Sequence, residues 1–222
     1  MAKKTTDYLL ELRLSGSARK YVKGIVFDVA NKFDVSGATR SRVVPHVTVI
    51  GPIKTIHEQK LIHEMIETCM KYDLMTIRFS GFTSFGNWIF GNRVLGVKIE
   101  PSDELESLRS EIVEKIAGFC QLCKFDTRKW KPHSTIAFKD IDNKFGKIKD
   151  YLENRSCPEI KHYVLRVTLL KNRKILCEYD FLQHRALNRY EALNRENKKM
   201  TLMLLKKILA KRNANNKKLD AT

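Results

Sequence analysis

The 222 residues predict an α+β protein of two lobes, each an antiparallel sheet with helices, related by a pseudo-twofold internal duplication, with a basic helical extension at the C-terminus. Three observations carry this. The order helix, strand, helix, strand, strand occurs twice. The first strand of each set opens alike, as Pro45-His-Val-Thr-Val-Ile and Pro132-His-Ser-Thr-Ile-Ala, 87 residues apart (133 − 46). The last forty residues are set apart by charge and helical spacing.

Taken in order, Tyr8 to Leu14 alternates as a strand and Ser15 to Ser17 break it. Ala18, Tyr21, Val22, Ile25, Val26, Val29 and Phe33 then recur at helical intervals over 17–33. A polar loop over 34–42 leads to the strand His46 to Ile50, which Gly51-Pro52 is expected to close. Thr55-Ile-His-Glu58 has the form of a capping box for a helix over 56–71, because a threonine hydroxyl and a glutamate three residues on can satisfy each other's amides. Strands follow at 74–82 and 88–99. Pro101-Ser-Asp-Glu104 supplies an N-cap and first-turn carboxylates for a helix to about 119. The second set has the strand His133 to Phe138, a helix over 143–154, and strands over 163–170 and 174–182 joined by a tight turn at Asn172-Arg173. The expected division is a bilobal domain over 1–183 and a basic helical extension over 184–222.

Composition narrows the class. Hydrophobic content of 43% and charged content of 30% suit a globular protein rather than a disordered one. The formal charge of +17 creates a field that favours phosphate-rich partners. The N-terminus lacks an apolar signal core, and no window of some 18 uncharged apolar residues occurs, so a cytoplasmic location and no membrane association are expected. Five cysteines are too few and too scattered for a disulfide scaffold. Cys120 and Cys123 have the spacing of half a zinc site, with no second half to complete it, so neither metal nor cofactor is expected.

Alternate residues of a strand share a face. His46 with Thr48, and His133 with Thr135, therefore project together, while Val47 and Ser134 point away. A pseudo-twofold axis would bring both pairs to one cleft. A lone histidine on an apolar strand is ordinarily a satisfied structural residue. Two copies, each preceded by proline, each opening an apolar strand and each at the same place in the duplication, point to a shared site. His57, His63, His162 and His184 have no such pattern and are assigned surface or capping roles.

These motifs, PHVTVIGP and KPHSTIAF, together with Asn92-Arg-Val-Leu-Gly-Val-Lys98, resemble the two-histidine (2H) phosphoesterase superfamily, which includes the 2′,5′ RNA ligase-like proteins. The resemblance spans roughly residues 7–182. It implies a bilobal fold and a metal-independent phosphodiesterase acting on 2′,3′-cyclic phosphate ends of RNA or oligonucleotides, with 2′,5′ ligation as the reverse reaction. His133 would be the water-activating base and His46 the acid, with the reverse assignment permitted by symmetry. Thr48 and Thr135 would hold the nonbridging oxygens. A monomer is expected. A noncatalytic RNA-binding protein using the cleft as a phosphate clamp is the alternative, and a 2H enzyme for another cyclic phosphate is a third.

Accessory positions have two readings each. Arg42 and Lys131 would steer polyanions or be solvated surface charge. Phe85, Trp88 and Trp130 would stack on a base or be buried. The extension from His184 carries 11 Lys and Arg against 3 Asp and Glu. Its helix, with apolar Met200, Met203, Leu204 and Ile208, would dock on the core, extend an RNA surface, or lie on an anionic membrane.

Overall fold

The computed structural model describes residues 6–40, 43–86 and 93–219. The elements run β1 (Thr6–Arg13), α1 (Gly16–Phe33), β2 (His46–Thr55), α2 (Glu58–Cys69), β3 (Met75–Phe85), β4 (Val94–Pro101), α3 (Asp103–Ala117), β5 (His133–Phe138), α4 (Phe145–Glu153), β6 (Lys161–Val164), β7 (Arg166–Lys171), β8 (Lys174–Asp180), β9 (Arg185–Asn188), α5 (Arg189–Leu193) and α6 (Arg195–Leu219). The strands form two sheets, ordered β2-β1-β7-β8-β9 and β5-β4-β3-β6. Every pairing is antiparallel.

The duplication is present with one strand of each half exchanged. The units β1-α1-β2-α2-β3 and β4-α3-β5-α4-β7 correspond, yet β3 pairs with β4 and β7 pairs with β1. Each sheet thus takes an inner strand from the other half. The helices cross as well: α1 packs on β5, and α3 packs on β2.

Helix burial follows the apolar spacing. Ala18, Val22, Ile25, Val26 and Val29 form the inner stripe of α1, and Leu105, Leu108, Ile112 and Ile116 that of α3. These side chains and the inner residues of both sheets make one continuous apolar cluster. Truncating a fully buried leucine such as Leu105 or Leu108 is expected to cost about 2–5 kcal/mol. No helix among the described residues is long and apolar enough to cross a membrane.

Several local expectations are corrected. Gly51-Pro52 does not end β2: the peptide is cis and pairing with β1 continues to Thr55, past register shifts near Leu10. The capping box at Thr55 is absent. The buried Thr55 hydroxyl accepts from the His57 amide (3.0 Å) and donates to the Phe119 carbonyl (3.0 Å), while Glu58 turns to the Tyr8 hydroxyl (2.8 Å) and Lys171. The expected strand over 163–170 is two strands in different sheets. β6 joins β3, β7 joins β1, and Leu165 at the break gives its carbonyl to the Phe181 amide. The expected strand beginning at 88 starts in residues outside those described. The turn at Asn172-Arg173 has positive φ at both positions (49° and 65°), as a two-residue hairpin of the primed kind requires.

The C-terminal segment opens with a strand, β9, that extends the first sheet beyond β8. Asn188 then caps α5 in a reciprocal box with Glu191. On α6 the inward residues are Thr201 and the partly buried Leu204, Leu205, Ile208 and Leu209, whereas Met200 and Met203 are exposed. The two methionines therefore lie off the docked stripe. The anchor is polar instead. Arg166 on β7 donates to Asp180 (2.7 Å), Glu178 (3.1 Å), the Thr201 hydroxyl (2.9 Å) and the Asn197 carbonyl (3.3 Å).

Candidate active site

β2 and β5 lie alongside one another at the junction of the sheets, which brings the two His-x-Thr motifs together. On β2, Val47 and Val49 are buried while His46 and Thr48 are partly open; on β5, Ser134 and Ile136 are buried while His133 and Thr135 are partly open. The pleat therefore sorts the polar pairs to the accessible face. A direct hydrogen bond links the motifs, from the Trp130 indole N–H to the Thr48 carbonyl (3.1 Å).

Both imidazoles are fixed in the same way. His46 Nδ1 lies 2.8 Å from the Val44 carbonyl oxygen, and His133 Nδ1 lies 3.0 Å from that of Lys131, two residues back in each case. A carbonyl only accepts, so each Nδ1 carries the hydrogen. Each Nε2 is thereby left as the exchangeable position. Burial lowers the pKa of His133, the Lys131 carbonyl opposes that, and the charge of nearby His46 adds to the lowering. The Phe85 ring lies against that of His133, with centroids 4.6 Å apart. Neither the Thr48 nor the Thr135 hydroxyl forms a hydrogen bond within the described residues, so both are available to a ligand.

Cross-strand neighbours set the floor. On β1, Arg13 pairs with His46 and Glu11 with Thr48, and the buried Glu11 carboxylate holds Arg13 at 2.7 Å and lies 3.9 Å from His46 Nε2. Equivalent positions on β4 are Lys98 opposite His133 and Gly96 opposite Thr135. A side chain at Gly96 has no room: its Cβ would meet the Ser134 carbonyl oxygen at 2.9 Å and His133 Cδ2 at 3.3 Å.

β2 is an edge strand, and its outer edge is covered from the other half. Arg109 on α3 donates to the Val49 carbonyl (2.9 Å), and Asp126 accepts from the Gly51 amide (3.1 Å) and pairs with Arg109 at 3.5 Å. Burial raises the Asp126 pKa in spite of these contacts. The loop after α1 does the corresponding task near β5, where Ser36 and Gly37 amides donate to Asp140 (2.8 and 2.9 Å). Motif reading did not find Glu11, Arg13, Arg109 or Asp126. Only the first pair left a signal, as the charged positions of an alternating strand.

The accessory positions resolve in part. Trp130 hydrogen-bonds β2, and Phe85 packs on His133, so both serve the protein's own structure. Lys131 is exposed, with its carbonyl engaged by His133. Arg42 and Trp88 lie outside the described residues. His57 stands at the start of α2 with its ring edge-on to Phe119, while His63 and His184 are exposed. His162 departs from its expected surface or capping role: it is half-buried on β6 and burial lowers its pKa to about 4.

The family model of the 2′-5′ RNA ligase superfamily matches residues 26–175, a span that contains both motifs. The chain belongs to that superfamily. As a member it is a two-histidine phosphoesterase by family, of the phosphoesterase or ligase type. Among solved structures it is similar to E. coli LigT complexed with 3′-AMP, at 14% identity over 76% of this chain and 88% of that one, with a TM-score of 0.47. It is also similar to Kluyveromyces marxianus Usb1 with uridine monophosphate, at 10% identity over 82% and 98%, again with a TM-score of 0.47. No curated protein matches it in sequence.

Proposed function

We propose that this superfamily member opens 2′,3′-cyclic phosphate ends of RNA or oligonucleotides by general acid/base catalysis between His46 and His133. The observation that carries the reading is the matched pair of rings on adjacent strands, each with Nδ1 on a carbonyl and with no hydrogen bond to Nε2 among the described residues. Opening the ring needs a proton removed from water on one side of phosphorus and a proton delivered to the departing ribose oxygen on the other. His133, whose neutral form is favoured by burial, takes the proton from water as its oxygen bonds to phosphorus. His46, beside the negative charge of Glu11, protonates the 2′ or 3′ oxygen as its bond to phosphorus breaks. Thr48 and Thr135 donate to the nonbridging oxygens and hold the diester in line. The reaction as written requires no metal.

The same groups would join the cyclic end to a 5′-hydroxyl that takes the place of water: the hydroxyl gives its proton to the base as its oxygen bonds to phosphorus, and the 3′ oxygen takes a proton from the acid as its bond to phosphorus breaks, which leaves a 2′,5′ linkage. The test is turnover of a 2′,3′-cyclic mononucleotide and of an oligonucleotide with that end. Each of His46→Ala and His133→Ala should lose at least about a hundredfold in kcat, the lower range for a single proton-transfer group. Wild-type turnover in both variants would overturn the reading. Oligonucleotide binding with no turnover in the wild type would instead favour a noncatalytic phosphate clamp.

A further inference from the structure

A cavity of about 310 Å³ opens over the first sheet between the end of β1, the first turn of α1 and α6, large enough for one nucleotide. Four cations line it: Arg13 from β1, Arg19 from α1, Arg166 from β7 and Lys198 from α6. Two are already answered. Arg13 pairs with Glu11, and Arg166 with Glu178 and Asp180. Arg19 on α1 and Lys198 on α6 have no carboxylate within ion-pair distance among the described residues. Lys198 is pushed below the ordinary lysine range by burial; Glu178 opposes this, while Arg166, Arg13 and Arg19 reinforce it. Glu178 is the single carboxylate lining the cavity, against these four cations.

The cavity adjoins His46. Arg13 is its cross-strand partner, and Val44, another lining residue, accepts the hydrogen bond from its Nδ1. Apolar Leu14, Leu193 and Leu202 complete the walls, a surface suited to a sugar or the face of a base. A polynucleotide with a cyclic phosphate at its 3′ end continues in one direction only, through the phosphate on the 5′ side of the terminal nucleotide. We propose that this cavity is a subsite for that neighbouring nucleotide, in which Arg19 and Lys198 hold its phosphate and α6 supplies one wall. The inference rests on the phosphoesterase reading and extends it: the C-terminal helix makes the enzyme prefer a chain over a single nucleotide.

Lys198→Glu and Arg19→Glu test it, because neither residue belongs to an ion pair that supports the fold. Thermal melting of each variant checks that the fold is retained. In a His46→Ala/His133→Ala background, fluorescence anisotropy with a labelled short oligoribonucleotide bearing a 3′-phosphate reads binding without turnover. Each added substitution should weaken binding about tenfold and reduce the slope of log Kd against log salt by about 0.7, the loss of one single-strand phosphate contact. With the histidines intact, each should lower the ratio of kcat/KM for a cyclic-ended oligonucleotide to that for a cyclic mononucleotide by about tenfold. If folded variants match the parent in affinity and salt slope, the subsite is overturned, whatever the wild-type turnover. If the parent binds and the variants do not, but no cyclic phosphate is hydrolysed, the subsite stands and the hydrolytic reading falls.

Discussion

The ring of Phe85 rests on that of His133 at a tilt of 45°, from a strand that reaches β5 only across β4. It contributes to the apolar surroundings of an imidazole whose burial lowers its pKa. In the proposed role of base His133 must be neutral, so activity is expected to fall as pH drops through its folded pKa, which lies below the ordinary value of about 6.5. The acidic limb of kcat/KM against pH is expected below that value. Phe85→Ser should move the limb upward, and NMR titration of His133 in His46→Ala should show its pKa raised, since one neighbouring positive charge is gone. An acidic limb unmoved by Phe85→Ser would count against this ring as the source of the shift.

Gly96 gives His133 its place. Gly96→Ala puts a methyl group 2.9 Å from the Ser134 carbonyl oxygen and 3.3 Å from the imidazole, so the ring or the strand must shift. A displacement of this kind is expected to lower kcat/KM by roughly 10- to 100-fold. The accompanying loss of stability should be only about 1–2 kcal/mol. Steady-state kinetics beside a urea melt separates the two effects.

Arg166 joins sheet and C-terminal helices through a network in which Asp180 is fully buried. Arg166→Met leaves Asp180 and Glu178 without their cation and is expected to destabilise the fold by about 3 kcal/mol. Thr201→Val, which removes one hydroxyl from the same network, should cost about 1 kcal/mol. Chemical denaturation measures both. If removing residues 189–222 leaves the melt unchanged, the network is not the support described.

His162 makes stability depend on acid. Its folded pKa of about 4 lies below the unfolded value near 6.5, so the unfolded chain takes up the proton first. The contribution is complete above about pH 6.5 and declines as pH falls toward 4. His162→Gln is expected to be neutral at pH 8 and to gain up to about 2 kcal/mol on the wild type at pH 5. Thermal melts at the two pH values test this.

The parts of this fold visible in the chain are those written locally. Helical spacing along α1 and α3, alternation along β1 and the repeated His-x-Thr pattern each need only a few neighbouring residues. The division of 163–170 into β6 and β7 has no such mark, because which sheet a strand joins depends on partners some ninety to one hundred and sixty residues away in sequence. Thr55 shows the same limit. Its spacing to Glu58 favours a capping box, yet Phe119 and Tyr8 hold the two side chains elsewhere. At the site, His46, Thr48, His133 and Thr135 could be named from pattern. The covering of the β2 edge by Arg109, Asp126 and Trp130 arises only when α3 and its following loop are laid across the other half.

The exchange of β3 and β7 between the halves has a consequence for how the chain comes into being. A ribosome that has released only the first hundred residues has made β1 and β2 but not β7, and β3 and β4 but not β5. Neither sheet can be finished until the strand from the later half emerges. The halves are thus bound to mature together, and a gene cut at the midpoint would be expected to yield two insoluble fragments that regain solubility only when co-expressed.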